Sequence, residues 1–525
     1  MPLALLGLVV STPLTCCRSQ DHRETTSPPS LVIAYKSTVA SMDPITENTV
    51  ISNSIYCNVF EPLVFRDERM RIRPLLAVTW LNPDDRTWVF KLRAGVRFHD
   101  GSPLRAEDVR YSLERARNDS SSTLAGSLTT LESVDVIDEG TVRIVTKKPY
   151  SMLLGRLVDI WILPAPRSVN EPSTDAPPGT GPYRLKSWKQ NDSVLLEANP
   201  TYWGARPSVQ RARFVAIPDA RTRLEGLKQG KISILPSLEP VAFGDADLLD
   251  RRRFRLQSSP GLLVIYLGMK LRRENQVGSE TVVNPFFDRR VREAVQRAID
   301  VDHIVDNILQ RNAIPATQIV APGLFGYCDE VRRPPYDPEG AKKLLREAGY
   351  GRGFAVRLDL TDNRYRNDLE IGKAIANDLG KVGIRVSLNP MPIGALNESL
   401  RAHTSSFFMR GWSLPSADAS GAFDFCVHTA DPRGGYGSEN SGGYSNPEVD
   451  RLIERSAETM QPKQRLQLLE HTMKLVMHDL PYVPLHVENN VAASLAEVEW
   501  RNRPDEFIYV QSIRFRHVSA GVPPR

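Results

Sequence analysis

Charge of one sign is missing from this 525-residue chain: 67 Lys and Arg stand against 62 Asp and Glu, a formal net charge of +5. So close a balance offers no polycationic face for nucleic acid, and no helix-turn-helix or aromatic-basic platform stands out. The one short basic run, Arg251-Arg252-Arg253, reads as a solvated face. Long apolar runs are missing too, since none approaches the roughly 18 residues that cross a bilayer. Cysteine is scarce, five in all at positions 16, 17, 57, 328 and 426, and the separations do not fit a zinc site. There is no Gly-x-Ser-x-Gly, no His-Glu-x-x-His and no Cys-x-x-Cys, so a secreted hydrolase finds no catalytic constellation here.

What is present is ordinary for a globular protein, with 41% apolar and 25% charged residues. The length is too great for one core and predicts two or three domains. Thirty-nine prolines point to many loops and sheet edges rather than long bundled helices. The first 17 residues differ in kind. Residues 3–10 are apolar but too short to span a membrane, and Leu14-Thr15-Cys16-Cys17 follows. That order predicts an export signal and resembles a bacterial lipobox, with Leu14 three residues before Cys17. Lipid on Cys17 would tether the mature chain to a membrane surface. Residues 18–30, polar and carrying Pro28-Pro29, read as a leash between that anchor and the fold.

The densest pattern lies in residues 88–116. Trp88, Phe90 and Leu92 alternate with Val89, Lys91 and Arg93, the period of a half-buried strand. Gly95 breaks the run, Val96 and Phe98 resume it, and Asp100-Gly101 supplies a turn. Ala106, Val109, Leu113 and Ala116 then fall at helical spacing, with Glu107 and Asp108 early, where a helix dipole favours negative charge. Further on, Gly179-Thr180-Gly181-Pro182 lacks the Gly-Lys-Ser/Thr of a phosphate cradle and reads as a tight turn with close backbone approach, entering a strand at Tyr183. Val291, Ala294, Val295, Ala298 and Ile299 form a helical stripe, and a second helix closes at Gly349. Strand 356–360, helix 369–381 and strand 383–388 alternate as in an α/β lobe with a mostly parallel sheet.

The 88–116 stretch closely resembles W-x-F-x-L-R-x-G-V-x-F-H-D-G-x-P-L-x-A-E-D-V-x-Y-S-L-E-R, the signature of the family 5 extracellular solute-binding proteins. Arg105 stands where that family has a Thr or Ser helix cap. Matches recur in Ser41-Met42-Asp43-Pro44, Glu61-Pro62-Leu63, Gly181-Pro182-Tyr183, Tyr202-Trp203, the helical stretch 284–300, Asn446-Pro447 and Leu480-Pro481-Tyr482. The resemblance implies a type II periplasmic binding fold, α/β, with two lobes, a cleft between them and an extra subdomain in the first. Boundaries are expected at 31–262 for lobe I (subdomain about 56–178), 263–490 for lobe II, and 491–525 returning to lobe I. It implies a solute receptor of an ABC importer, without cofactor or metal, working as a monomer with permease transmembrane subunits. Peptides are the leading solute class; a metal chelate or an oligosaccharide is the alternative. A ligand-sensing regulator on the same fold would need a DNA-binding domain, and an export signal fills that terminus.

By the same resemblance Arg410-Gly411-Trp412-Ser413 is the segment that pairs with an extended ligand. Peptide-binding members carry an aspartate three residues after this tryptophan to hold an α-ammonium; here Pro415 stands there. Asp418 resembles the family's second aspartate, and Arg364 or Arg366 lies near a carboxylate-binding arginine of dipeptide receptors. Trp412 fits the cleft or the core, and either arginine also fits a solvated surface. Met42, in the 41–44 loop, and Tyr444, in a Gly/Ser/Asn-rich segment, complete the candidate ligand contacts. For Cys328 and Cys426, expected in one lobe, a disulfide and a pair of buried thiols both remain open.

Overall fold

The computed structural model describes residues 30–166, 176–238, 245–277 and 280–516. The expected export signal, Cys17 and residues 18–29 lie outside the described residues. A mixed, eleven-stranded sheet runs through the molecule. Its first part holds Ser30–Tyr35, Ile234–Leu235, Arg211–Ala216, Ser193–Ala198 and Tyr183–Lys189. Its second holds Phe407–Ser413, Phe354–Thr361, Ile384–Met391 and the short Ala313–Pro315.

Two long strands, Phe254–Met269 and Tyr482–Leu495, lie in the middle and belong to both parts. The chain enters the second part along the first of them and returns along the other, so the two pair antiparallel. Their ladder is interrupted between Pro260 and Val264. There a side chain on Gly261 would meet Asn490 Oδ1 at 2.4 Å and Glu488 O at 3.0 Å. Such a bulge bends a strand without ending it.

The 88–116 pattern folds as a strand, Thr87–Leu92, and a helix, Ala106–Asn118. The strand sits in a separate antiparallel sheet with Ala77–Leu81, Leu131–Asp138 and Thr141–Thr146. Trp88, Phe90, Val109, Leu113, Val142 and Ile144 close one core between sheet and helix. The expected strand at Val96 and Phe98 does not form. Gly95 (φ +78°) and Gly101 (φ +93°) turn the chain twice in seven residues, leaving only an Arg97–Pro103 bridge, although Val96 and Phe98 are still buried. Arg105 provides no side-chain cap; the Asp108 carboxylate instead accepts from Arg105 N at 2.8 Å and Ala165 N at 2.8 Å.

In the second part Arg289–Ala298 buries Val291, Ala294, Val295 and Ala298 against the sheet. Within this second part the sheet is parallel only around Phe354–Thr361, which pairs parallel with Ile384–Met391 and, at Asp359, with Phe408. From Phe407–Ser413 through Phe254–Met269 to Tyr482–Leu495 it is antiparallel, so the mostly parallel expectation for this lobe is corrected. The returning chain imposes that reversal. Cys57, Cys328 and Cys426 are all free and buried, which decides the open question against a disulfide.

Candidate functional site

Two polar clusters near the signature are fully committed to the scaffold. His99 N donates to Gly179 O at 2.8 Å, while its ring pairs with Gly179 N at 3.3 Å (Nδ1) and Gly181 O at 3.0 Å (Nε2). That pattern wants a neutral ring with its proton on Nε2, and burial pushes its pKa down to about 4. The turn comes so close to helix Val50–Val59 that a Cβ on Gly179 would stand 1.9 Å from Val59 O. Glu61 is buried beneath Tyr202 and Trp203, which donate to its carboxylate at 2.8 and 2.9 Å. Burial pushes its pKa up to about 7, with Trp203 and Tyr202 pulling the other way.

The cleft is different. Strand Phe407–Ser413 lies antiparallel to Phe254–Met269, with Gly411 opposite Ile265 and Trp412 opposite Val264. A Cβ on Gly411 would meet Ile265 Cδ1 at 2.7 Å and Tyr365 Cε1 at 2.8 Å, so a side chain there needs its neighbours to move. Arg410 is ion-paired with Glu439 at 2.7 Å. Trp412 is half-buried, its ring centroid 6.3 Å from that of Phe425, and its indole N–H has no partner among the described residues. Residues 412–416, Gly421 and Phe425 form one wall of a cavity of about 270 Å³. Asn48, Leu124, Ser127, Gly155, Arg156, Asp159 and Ile160 form the other.

Two charges, Arg156 and Asp159, lie in that second wall, and Arg66 bonds to residues of both walls without lining the cavity. Arg66 Nη2 donates to Gly155 O at 2.9 Å and, across the cleft, to Ser416 O at 3.0 Å. Its Nη1 lies 4.0 Å from the Asp159 carboxylate. Burial raises the Asp159 pKa, while Arg66 and Arg156 oppose that shift. Arg156 gives its Nε to the Tyr150 hydroxyl at 3.1 Å. Burial works against its charge, but Tyr150, Asp424 and Asp159 together hold its pKa above the usual value. Asp424, on the Trp412 side, is pushed up to about 7 by burial despite Arg156. A larger cavity of about 660 Å³ adjoins, sharing Gly155 and Ser416 and lined further by Met152, Phe325, Asp418 and Arg465.

Of the residues singled out from sequence, Gly411, Trp412 and Ser413 meet at or beside the smaller cavity. Asp418 borders the larger one and is held by Arg465 at 2.6 and 2.9 Å and by Ser420; burial opposes its charge, but Arg465 more than offsets that and lowers its pKa. Met42 is 1% exposed, and its side chain belongs to the core beside Tyr56 and Phe60. Tyr444 is 5% exposed and donates to Asp479 at 2.6 Å, away from both cavities. Arg364 is exposed, 5.8 Å above the Tyr365 ring, and Arg366 donates to Asn312 O and Asn489 O. Arg66, Arg156 and Asp159 were missed. For the last two a signal existed: they are the charges in the otherwise apolar run 152–163. Among the described residues no group of His, Cys, Asp or Glu could hold a metal ion.

Residues 71–433 match the bacterial extracellular solute-binding proteins, family 5. The chain belongs to that family. This solute-binding protein is 27% identical to the glutathione-binding protein GsiB of Escherichia coli K12 over 482 residues, 88% of this chain and 90% of that one. The GsiB of Salmonella typhi is likewise 27% identical, over 478 residues. Among solved structures, HbpA2 from Haemophilus parasuis superposes with a TM-score of 0.81 at 21% identity, covering 93% of this chain and 100% of that one. The periplasmic binding protein DppA from Helicobacter pylori, in complex with the peptide STSA, gives 0.69 at 23% identity over 93% and 98%. The fold is thus the two-lobed type II arrangement, and the two long central strands join its lobes.

Proposed function

We propose that this chain is the receptor of an ABC importer that takes a short peptide into the cleft between its lobes and delivers it, unaltered, to permease transmembrane subunits. The observation that carries this reading is the cavity whose walls come from residues 412–416 of one lobe and residues 155–160 of the other. A solute held there touches both lobes only when they close, so binding shifts the population toward the closed form. Its volume of about 270 Å³ suits a small solute. The GsiB relatives are named for glutathione, a tripeptide, and several structural relatives were solved with peptides.

In this reading Gly411, Trp412 and Ser413 supply a strand edge and an aromatic wall, with Arg410 steadying the edge through Glu439. Lobe I comprises residues 31–262 and 491–525, lobe II residues 263–490. Lipid on Cys17 holds the monomeric receptor at the membrane outside the cell. Native mass spectrometry of protein purified without refolding tests the ligand class: a co-purifying peptide is expected, and a co-purifying sugar or metal chelate overturns it. Palmitate incorporation that persists in Cys17→Ala removes the anchor.

A further inference from the structure

The smaller cavity holds charges that the scaffold leaves without close partners. The Arg156 guanidinium uses one of its five N–H donors, on Tyr150, and among the described residues makes no other hydrogen bond. The Asp159 carboxylate accepts no hydrogen bond among the described residues, and Arg66 approaches it only to 4.0 Å. The two do not pair with each other, although three positions apart and lining the same cavity. Half-buried charges left this way are costly unless something else completes them.

The residues that line the opposite wall carry none: Trp412, Ser413, Leu414, Pro415, Ser416, Gly421 and Phe425 are uncharged, and Asp424 of that lobe acts on Arg156 without lining the cavity. A zwitterion in this cavity therefore meets both its countercharges on one turn of lobe I. An ordinary tripeptide keeps its ammonium and carboxylate roughly 10 Å apart when extended, too far for one turn to meet both. A solute carrying both on a single carbon fits. Free α-amino acids have that head, and so do γ-glutamyl peptides, whose first residue is joined through its side chain; glutathione is one.

We propose that Arg156 and Asp159 form a subsite for an α-amino-acid head group, Arg156 taking the carboxylate and Asp159 the ammonium, with the remainder of the solute laid along residues 412–416. This rests on the reading of the cleft as the solute site. Guanidinium and carboxylate form a two-point contact with a carboxylate and an ammonium, each charge-assisted. Asp424, which faces Arg156 from the other lobe, offers a rival use for that arginine, an inter-lobe latch.

Calorimetry on the full chain separates these. The probes are glutathione, γ-glutamylcysteine, glutathione acetylated on its α-amine, and α-linked Glu-Cys-Gly. The unsubstituted protein is expected to bind the first two at least about tenfold more tightly than the last two. Asp159→Asn and Arg156→Gln should each weaken glutathione binding about tenfold or more, with unchanged thermal melts, and Asp159→Asn should erase the preference for a free amine. Equal affinity for the acetylated or α-linked probe, or unaltered affinity in both variants, overturns the subsite. So does equal weakening of every probe, which marks a latch. Tight binding of α-linked peptides alone overturns the subsite but leaves the importer reading standing; enzymatic turnover of a probe would end that reading as well.

Discussion

The 179–181 turn and the 412–416 edge both resemble segments of one family, the edge with Pro415 in place of an aspartate, yet they are built on opposite terms. Around the turn the ionisable groups are spoken for: the His99 ring takes two backbone partners, and nearby Glu61 accepts from Tyr202 and Trp203. At the edge and the wall facing it, the Trp412 indole and the Asp159 carboxylate have no hydrogen-bond partner among the described residues, and the Arg156 guanidinium has one. A dense motif thus marks where the scaffold closes on itself. Open polar groups around a cavity mark where something is still to arrive.

The sharpest way to break this contrast is Gly179→Ala. The new Cβ meets the Val59 carbonyl at 1.9 Å, and backbone on both sides must shift. A loss of about 3 kcal/mol or more is expected from the denaturation midpoint, with solute affinity per folded molecule unchanged. A stable variant with weakened affinity would move the turn from scaffold to site.

A second test uses pH. His99 has its pKa lowered from 6.5 to about 4, so between those values the unfolded chain binds the proton and the folded one does not. Stability from this group is full above 6.5 and is lost as pH falls toward 4, by at most about 3 kcal/mol. Glu61 has the opposite sign: raised from 4.5 to about 7, it contributes fully below 4.5 and its contribution is lost as pH rises toward 7. The two slopes oppose each other in the wild type. His99→Gln should therefore leave a protein that loses stability more steeply with rising pH across this window, and Glu61→Gln one that loses it more steeply with falling pH. Unfolding midpoints across the window that keep the wild-type slope in both variants would show that neither cluster is as closed as its geometry implies.

How much of this was legible beforehand follows the same division. The alternation at Trp88 and Phe90 and the stripe from Val291 to Ala298 are local facts, and local periodicity carries them, whereas the space that demands glycine at 179 and 181 is set by the distant Asn58 and Val59 backbone. The absent strand at Val96 and Phe98 shows the limit, because two left-handed glycines outweighed a correct burial pattern. Arg156 and Asp159 acquire meaning only when residues more than 250 positions away fold over them. Nothing in their own neighbourhood says what faces them. Met42 and Tyr444 err the other way, since a family motif in one case and a loop rich in small polar residues in the other drew attention to side chains that pack inside.

Trp412→Ala sharpens the comparison at the edge itself. Removing a half-buried ring that contacts Phe425 should lower solute affinity about tenfold while costing about 1–2 kcal/mol of stability. The calorimetric affinity of Trp412→Ala should be set beside that of Met42→Leu, a buried swap expected to leave affinity alone. If the two variants bind alike, Trp412 is part of the core and the open edge is not a site.

The smallest effect is expected at Arg364, and it bears on where the cleft's chemistry ends. Its guanidinium is exposed and lies 5.8 Å above the ring of Tyr365, whose hydroxyl reaches Gly411 O at 3.5 Å. An exposed cation over a tyrosine is worth about 0.5–1 kcal/mol, so Arg364→Ala should shift the denaturation midpoint little. Affinity should not move, because the carboxylate contact is assigned to Arg156 on the other lobe. A tenfold loss of affinity in Arg364→Ala would instead place a ligand carboxylate on the Tyr365 side of the strand. The solute would then span the edge from Asp159 to Arg364, end to end, as an ordinary peptide does, and the single-carbon head group would no longer be needed.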